Sequence, residues 1–373
     1  MGAWKKDNRR NVARTYLSEG FCLTAMDFET YKYRAAIEEE LKKFLPQQIT
    51  ASWVEHAVGK ARWVQDTKAI TEAMSEPLWD FLSRGGKRWR PMFMLMCCEA
   101  VGGDAQKNLP FTVIPELIHN ATLISDDIED NSDLRRGKPV LHKVFGMDIA
   151  LNAGETLYAL PYVAIRDSNL SLDLKCKAYE IISGQLLKCY LGQAIDIRWH
   201  HTQKEIPTEE MYLQMTANKS GSLACMAAKL GALLGGGSAQ QVEALGRFGE
   251  TAGVVFQIQD DILNITQNKN LGKDFGDDIK EGKRTLLVIH TLCVAPEEEK
   301  KRLLEILNMH TNDEKLLQEA IDLIVKHDSV AYCKKIALEL AEQTWKETER
   351  VLPESPVKEE LREFAQLLLN RVV

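Results

Sequence analysis

The hydrophobic positions of this chain recur at helical spacing from about Tyr31 to the end, with glycine, proline and polar clusters between the segments. Helices are therefore predicted over about 31–44, 52–63, 70–82, 91–101, 111–130, 149–167, 173–199, 209–234, 239–265 and 284–293, with shorter helices up to Val373. Alternating strand patterns extend over no more than a few residues, and the glycine-rich phosphate loops of α/β nucleotide-binding proteins do not occur in the sequence. The pattern predicts an all-α protein.

The longest irregular stretches, about 132–143 and 267–282, each follow an acidic helix end. Loops of that length in a compact domain are more often functional than structural. No linker divides the chain and no fixed-period repeat occurs. The sequence therefore predicts one large helical domain over 66–373, preceded by a partly helical N-terminal extension over 1–65. Basic residues near the start are typical of a solvated terminus or of a targeting segment: Lys5, Lys6, Arg9, Arg10 and Arg14.

Composition excludes several classes of protein. The 373 residues are 45% hydrophobic, which is enough for a large core, and carry a formal net charge of -7. That charge argues against a nucleic-acid binder, which needs a dominant basic surface. No apolar run approaches the roughly 18 residues of a membrane span. The eight cysteines form no CxxC pair and mostly lie in apolar helical patterns, which predicts reduced thiols in a cytoplasmic protein.

The candidate chemistry begins at the end of the predicted helix 111–130, where apolar residues run into four carboxylates within five positions. On one helix Asp126 and Asp130 lie one above the other, with Asp127 beside them. Like charges at that spacing destabilise a helix by roughly 0.2–0.5 kcal/mol per pair, and by more where solvent is excluded. A cation is therefore expected there, unless the helix simply ends in solvent.

A second helix end repeats this arrangement. The mostly apolar stretch 254–259 leads into Asp260 and Asp261, and Asn264 follows one turn after Asp260. Mg²⁺ takes oxygen ligands, typically one or two carboxylates together with substrate phosphates and water. One such cluster is a weak signal. Two clusters facing each other across a helical bundle would hold several ions and, through them, a diphosphate.

Three groups of basic residues accompany the acidic clusters. They are Lys87 and Arg90 in the segment RGGKRWRP, Arg135 and Arg136 after the first cluster, and Lys219, Lys273 and Lys283 around the second. Arginine suits bidentate phosphate contacts and lysine supplies a point charge. Each group alone is typical of a solvated surface. Together they predict two anion sites, one bridged by metal and one held by Lys87, Arg90 and Arg136 without it.

In order and spacing these motifs resemble those of the trans-isoprenyl diphosphate synthases, the family of farnesyl and geranylgeranyl diphosphate synthases. The matching elements are GGKxxRP at 85–91, DDxxD at 126–130, RRG at 135–137, GQxxD at 192–196, K[ST] at 219–220 and FQxxDD at 256–261. The likeness extends from about Ile70 to about Lys283. It implies the large helical bundle of the class I isoprenoid synthases, closest in motif to geranylgeranyl diphosphate synthase.

The resemblance also implies a role for each site residue. Isopentenyl diphosphate would be bound by Lys87, Arg90, His119 and Arg136. About three Mg²⁺ ions would be ligated by Asp126, Asp130 and Asp260, with Asp127 and Asp261 assisting. The allylic diphosphate would be held by Arg135, Gln193, Lys219, Ser220, Gln257, Lys273 and Lys283, in a cavity also lined by Asp196. The catalytic set would be Asp126, Asp127, Asp130, Lys219, Asp260 and Lys283. The family's last aspartate of the second motif is Asn264 here.

The implied reaction is ionisation of an allylic diphosphate (dimethylallyl, geranyl or farnesyl), followed by attack of isopentenyl diphosphate on the cation. Product length is expected to depend on the apolar tunnel below the first acidic cluster. The residues expected to set it are Ile118, Ala121 and Thr122 on the acidic helix, and Tyr158 and Tyr190 on its neighbours. The two tyrosines would form a floor, or are ordinary core residues. A C20 product, geranylgeranyl diphosphate, is predicted, with longer-chain and C15 products as alternatives.

Other functions remain to be weighed against elongation. A class I terpene cyclase would share the fold and an acidic helix, but it needs no second diphosphate site. A non-catalytic subunit of a heteromeric synthase would be expected to lose site aspartates or arginines, and Asn264 is the departure found here. A helical scaffold protein gives no reason for this order of charges. The resemblance further implies a homodimer or higher homo-oligomer.

Overall fold

The computed structural model describes residues 31–202, 206–266 and 276–369. Its helices are α1 (Arg34–Phe44), α2 (Ala51–Val58), α3 (Thr67–Ile70), α4 (Glu76–Leu82), α5 (Trp89–Ala100), α6 (Ala105–Asn108), α7 (Val113–Glu129), α8 (Leu141–Phe145), α9 (Met147–Ala159), α10 (Pro161–Arg166), α11 (Leu172–Thr202), α12 (Glu209–Thr216), α13 (Ser222–Leu234), α14 (Ala239–Ile265), α15 (Asp277–Lys280), α16 (Leu286–Val294), α17 (Glu297–Met309), α18 (Glu314–Lys326), α19 (Ser329–Thr348) and α20 (Pro356–Leu369). The predicted all-α class is confirmed. Within the described part of the chain, no helix is long and apolar enough to span a bilayer.

Two predicted helices are interrupted by π-helical segments, Thr71–Ser75 between α3 and α4 and Ala217–Gly221 between α12 and α13. Single π-turns inside α-helices occur frequently at functional sites. The second segment carries Lys219 and Ser220, two of the predicted diphosphate-binding residues. This π-helical segment lies inside the predicted helix 209–234. Compared with an unbroken α-helix, its side chains point in a different direction.

Other helix boundaries differ from the prediction for identifiable reasons. The predicted helix 149–167 is divided between α9 and α10 at Pro161, which lacks the N–H that would continue the ladder. The prediction of helix from 52 to 63 was too long, because α2 ends at Gly59, whose φ of +88° breaks it. Trp63 and Val64, which follow α2, are exposed.

A two-residue hairpin lies in the irregular stretch after α7. Strands β1 (Leu134–Arg135) and β2 (Lys138–Pro139) pair antiparallel. Arg136 and Gly137 form the turn with φ of +56° and +74°, and positive φ at both central residues is the signature of the turn that closes such short hairpins. The hairpin thus fixes two neighbouring arginines, Arg135 and Arg136, beside the first acidic cluster.

The centre of the bundle is formed by α13 and α14, which pack against each other and against α5 and α19. Small residues permit this close packing: a Cβ at Gly231 of α13 would overlap the carbonyl oxygen of Met94 in α5. The acidic helix α7 lies beside α9 and α5. In α1, Ile37 and Leu41 are buried in the same hydrophobic cluster as these helices. The predicted domain boundary at residue 65 stays a prediction.

Candidate active site

A cavity of about 530 Å³ lies between the carboxyl ends of α7 and α14. It gathers nearly all of the predicted site residues: Lys87, Arg90, His119, Thr122, Asp126, Arg135, Arg136, Tyr158, Tyr190, Gln193, Asp196, Lys219, Ser220, Gln257, Asp260, Asp261 and Lys283 line it. Ile118, Ala121, Asp127, Asp130 and Asn264 are not among its lining residues, and Lys273 lies outside the described residues. Residues far apart in sequence therefore converge on one space.

The first acidic cluster is partly neutralised by Arg135 of the hairpin. Arg135 donates from Nε to Asp127 Oδ1 at 2.7 Å and from Nη2 to Asp126 Oδ2 at 3.2 Å. Burial disfavours the charge of Arg135, but attraction by Asp127 and Asp126 outweighs it and raises the pKa of the guanidinium. Because Asp127 is turned toward this arginine and is almost fully buried, it supports the cluster from behind the cavity wall.

Asp130 faces a second, polar hollow of about 470 Å³ that adjoins the cavity through Asp126 and Lys283. Lys283 donates to its Oδ2 at 3.2 Å, and the imidazole Nε2 of His200 lies 3.7 Å from its Oδ1. Burial raises the pKa of Asp130. Asp130 Oδ1 is buried without a hydrogen-bond partner among the described residues, so this carboxylate has coordination capacity left over.

Lys219 connects three elements of the site. Its Nζ donates to Asp196 Oδ2 of α11 at 2.6 Å and to Asp126 Oδ1 of α7 at 3.1 Å. Burial opposes its charge, yet the two carboxylates raise its pKa. The approach depends on Gly192, because a Cβ there would overlap the backbone nitrogen of Lys219. Gln193 donates to Asp126 Oδ1 at 3.2 Å and to Glu129 Oε2 at 2.6 Å, so α11 makes two contacts with the acidic helix.

The second acidic cluster has a neutral hydrogen-bond network. Asp261 accepts from Tyr212 Oη at 2.7 Å and from Gln257 Nε2 at 2.9 Å, while Ser220 Oγ donates to Gln257 Oε1 at 2.9 Å. Burial raises the pKa of Asp261. Asn264 lies away from the cavity wall, where its Oδ1 accepts the backbone N–H of Asp278 at 3.2 Å.

A cationic recess occupies the other side of the cavity. Arg90 at the start of α5 is buried, and burial lowers its pKa to about 10. Arg136 lies against Gly86, and its Nη1 donates to the carbonyl oxygen of Gly85 at 2.5 Å. Burial, followed by the charges of Arg90 and Arg136, lowers the pKa of His119, so its imidazole is neutral. Positive charges held in a low dielectric favour an anion between them.

Of the residues predicted to set chain length, some line the cavity and others do not. Thr122 lines the cavity together with Leu123 and Ser125, whereas Ile118 and Ala121 face the packed core and are fully buried. The cavity-facing residues of α7 therefore recur every three or four positions, as His119, Thr122, Leu123, Ser125, Asp126 and Glu129.

Tyr158 and Tyr190 lie together beside this row of α7 residues. Tyr158 of α9 and Tyr190 of α11 have ring centroids 5.5 Å apart, and Tyr158 Oη lies 3.4 Å from Ser125 Oγ. The pair and the acidic helix thus contact each other directly on the cavity wall.

Sequence reasoning missed several residues of the site. Tyr212 lies inside a predicted helix, His200 directly after one and Arg88 beside Lys87, and the sequence pattern singles out none of them. Arg88 is buried and donates from Nη1 to Glu116 Oε1 at 2.6 Å. A signal was available for Glu116, a lone carboxylate in an apolar run, because a buried charge needs a partner.

Comparison with known proteins agrees with this geometry. The model of the polyprenyl synthetase family matches residues 71–324. A short chain isoprenyl diphosphate synthase of Methanothermobacter thermautotrophicus is 37% identical over 291 residues, which cover 78% of this chain and 88% of that protein. A geranylfarnesyl diphosphate synthase of Natronomonas pharaonis is 30% identical over 349 residues, which cover 86% of this chain and 99% of that protein.

Among solved structures, the geranylgeranyl pyrophosphate synthetase of Pyrococcus horikoshii matches with a TM-score of 0.76 and 31% identity, covering 92% of this chain and all 100% of that chain. The class I isoprenoid synthase fold implied by the motifs is confirmed by this similarity. With the family model matching more than half of the chain, the conclusion is direct: the chain belongs to the polyprenyl synthetase family and is a trans-prenyl diphosphate synthase.

Proposed function

We propose that this synthase condenses isopentenyl diphosphate with an allylic diphosphate and releases geranylgeranyl diphosphate. The observation that carries the proposal is the division of one cavity into two unlike halves. Facing acidic helix ends form one half, and the recess of Arg90, His119 and Arg136 forms the other. An elongating enzyme must hold two diphosphates at once, and each half suits one of them.

The acidic half fits Mg²⁺. Asp126, Asp130 and Asp260 offer carboxylate oxygens, the ligands that this ion prefers. The buried Oδ1 of Asp130, which accepts no hydrogen bond from the described residues, supports the same assignment. We assign these three aspartates as ligands of about three ions, with Asp127 and Asp261 held as supports by Arg135 and Tyr212. When bound, Mg²⁺ would neutralise the allylic diphosphate and make it a better leaving group.

The basic residues around the acidic half would hold the allylic diphosphate. This set is Arg135, Gln193, Lys219, Ser220, Gln257 and Lys283, with Lys273 outside the described residues. Lys219 and Lys283 already contact Asp126 and Asp130. They are therefore placed to stabilise the charge that develops on the departing diphosphate.

The cationic recess would hold isopentenyl diphosphate through Lys87, Arg90, His119 and Arg136. A neutral His119 contributes a hydrogen bond without adding charge. Apolar side chains such as Leu123, Leu223 and Phe256 line the space between the halves, where they exclude water from the allylic cation. The new carbon–carbon bond forms between the two substrates, and the departing diphosphate accepts the proton that is lost.

We assign the C20 product to the cavity wall formed by Thr122, Ser125 and the Tyr158–Tyr190 pair. A threonine leaves room for a chain longer than C15, and the tyrosine pair would stop further growth. The similarity to both short-chain and geranylfarnesyl synthases leaves C15 and longer products as the alternatives. Ile118 and Ala121 would act through the packing of α7 rather than by contact.

A cyclase or a non-catalytic subunit is less well supported. A cyclase has no use for the cationic recess, and a non-catalytic subunit has no use for a complete set of carboxylates and amines. We also propose a homodimer. Exposed apolar side chains lie at helical spacing on one face of α11, at Leu187, Tyr190 and Leu191, and two more, Met147 and Leu151, lie on α9. A second copy would cover this face and the outer side of Tyr190.

One experiment tests the proposal. The pure protein is incubated with Mg²⁺, radiolabelled isopentenyl diphosphate and each of dimethylallyl, geranyl and farnesyl diphosphate, and the products are sized by chromatography. C20 is expected from all three primers, and longer products from the double variant Tyr158→Ala/Tyr190→Ala. An unchanged product from that variant would remove the tyrosines from the floor, while cyclised hydrocarbons formed without isopentenyl diphosphate would identify a cyclase.

A further inference from the structure

The loop between α4 and α5 has a backbone that needs external support. Gly85 and Gly86 have φ of +94° and +129°, and Arg88 has φ of +48°. Glycine adopts such values freely, but a side chain as large as arginine does so at a cost. A strained residue persists where its surroundings over-determine it. Arg88 lies between Lys87 and Arg90 in the sequence. The contacts that fix the position of Arg88 therefore also help to fix the positions of these two residues.

Helix α1 supplies contacts from one side. Arg34 donates from Nη1 to the carbonyl oxygen of Gly86 at 2.8 Å. Glu38, one turn later, accepts from Arg88 Nε at 2.8 Å, and its Oε1 lies 3.6 Å from Arg34 Nη2. The carbonyl of Gly86 belongs to the same peptide plane as the nitrogen of Lys87, so Arg34 fixes the orientation in which Lys87 leaves the backbone.

Helix α7 supplies contacts from the other side. Arg88 donates from Nη1 to Glu116 of α7 at 2.6 Å. Its Nη2 donates to the carbonyl oxygen of Leu82, the last residue of α4, at 2.7 Å. Asn120 donates to the same Glu116 oxygen at 2.8 Å. Arg88 and Glu116 are both almost fully buried, and such a pair is strong when all its hydrogen bonds are made. Glu116 precedes His119 by about one helical turn, so α1, the loop and the recess side of α7 form one hydrogen-bonded unit.

We propose that Arg34 and Glu38 of α1 are positioning residues for isopentenyl diphosphate. Neither lines the cavity. They hold the loop so that Lys87 and Arg90 converge with His119 and Arg136 on one diphosphate. The inference rests on the proposed assignment of the recess to isopentenyl diphosphate. It gives α1, which lies outside the residues 71–324 matched by the family model, a part in binding that substrate.

Steady-state kinetics of Glu38→Gln and Arg34→Gln test the inference. The KM of each substrate is measured with the other saturating. Glutamine keeps the size of Glu38 but removes the charge that holds Arg88. The expected result is an increase of about tenfold in the KM for isopentenyl diphosphate, because small displacements of binding groups have large effects. The KM for geranyl diphosphate and kcat should change less than about twofold.

Two control variants on α1 separate positioning from stability. Glu39→Gln changes the adjacent exposed residue, which pairs with Lys42, and should leave both KM values unchanged. Leu41→Ala opens a cavity under the same helix and should lower Tm without a selective effect on one KM. The inference is overturned if Glu38→Gln behaves as Glu39→Gln does. It is also overturned if both KM values rise equally, or if Leu41→Ala gives the same selective increase at a matched loss of Tm.

One more variant distinguishes a failure of this inference from a failure of the proposed function. Lys87→Ala identifies the substrate that the loop binds, because it removes a side chain of the recess itself. If Lys87→Ala raises the KM for the allylic substrate instead, the assignment of the recess to isopentenyl diphosphate fails. The positioning role then stands if Glu38→Gln raises the same KM as Lys87→Ala, and it falls if the two variants affect different substrates.

Discussion

The two acidic clusters look alike in sequence, but the structure surrounds them with different partners. The first cluster, on α7, is held by charged groups: Arg135 and Lys219 on Asp126, and Lys283 on Asp130. Asp261 of the second cluster, on α14, is held by the neutral donors Tyr212 and Gln257.

The difference has a consequence for binding a metal. Ammonium and guanidinium groups already balance the charge of the first cluster. A metal ion bound there would therefore alter these existing ion pairs. Tyr212 and Gln257 orient Asp261 without supplying a positive charge, and burial raises the pKa of its carboxyl. On the proposed assignment of metal ligands, a bound metal would replace ion pairs at the first cluster, whereas the hydrogen bonds of Asp261 at the second cluster would remain.

The largest effect is expected for Asp126→Ala, which removes the residue at the centre of the first cluster. Asp126 contacts Arg135, Lys219 and Gln193, so the variant loses a proposed metal ligand and the group that aligns three substrate contacts. Turnover should fall by about 10³-fold or more at saturating Mg²⁺, because electrostatic stabilisation of the leaving group is lost. Product formation and far-UV circular dichroism are the measurements, and the helical spectrum should be retained.

The exposed Asp133 offers a control for that variant. It lies on the same hairpin as Arg135 and pairs with Lys143. Asp133→Ala should leave turnover within about twofold, since an exposed ion pair contributes little. Full activity of Asp126→Ala at the Mg²⁺ concentration that the parent protein requires would contradict the role of Asp126 as a ligand.

A smaller effect is expected for Tyr212→Phe, which tests the neutral network of the second cluster. The variant removes one hydrogen bond to a buried carboxylate and should lower the free energy of unfolding by about 1–3 kcal/mol. With Asp261 less well oriented, the Mg²⁺ concentration for half-maximal activity should rise by about tenfold, while saturating Mg²⁺ restores most of kcat. A magnesium titration of the rate measures this.

Tyr332 provides a matched control, because its hydroxyl also donates to a carboxylate, Glu209, outside the cavity. Tyr332→Phe should change stability but leave the Mg²⁺ requirement as it is in the parent protein. Equal magnesium curves for the two variants would show that the Tyr212–Asp261 bond stabilises the fold and does not prepare a metal site.

The helices and the convergence of the charged motifs could be predicted from the sequence, for a physical reason. Hydrophobic periodicity reports which face of a helix is buried, and α7 and α14 follow it closely. Paired carboxylates at an apolar helix end are costly unless they have a function, so they stand out in the sequence. Lys87, Arg90 and the hairpin arginines were found because they accompany these ends.

The residues that sequence reasoning missed act through partners that are distant in the chain. Tyr212 belongs to an amphipathic run, and nothing local shows that its hydroxyl reaches Asp261. The contact of Glu38 with Arg88 joins α1 to a loop 50 residues later. The helix predicted up to Trp63 was too long, because hydrophobic spacing alone does not show that Gly59 adopts a positive φ and ends it.

The smallest effect is expected for Asn264→Asp, which tests the second cluster at the position where the motif resemblance implies an aspartate. Asn264 uses its side-chain oxygen to accept the N–H of Asp278, and its backbone carbonyl accepts the N–H of Gly276 at 3.1 Å. An aspartate can accept the same bonds but adds a charge near Asp260 and Asp278. Stability should fall by about 0.5–1 kcal/mol from this repulsion. Turnover should change by no more than about threefold, because the residue is not part of the cavity wall.

Asn264→Ala is the companion variant, since it removes the acceptor without adding a charge. It should destabilise the end of α14 by about 1 kcal/mol and reduce activity more than Asn264→Asp does, through loss of the bond to Asp278. Thermal unfolding and a magnesium titration distinguish the possibilities. If Asn264→Asp instead lowers the Mg²⁺ requirement by about tenfold, a carboxylate at this position reaches the metal. The second cluster would then gain a second ligand beside Asp260, and its neutral network would support the site rather than replace that ligand.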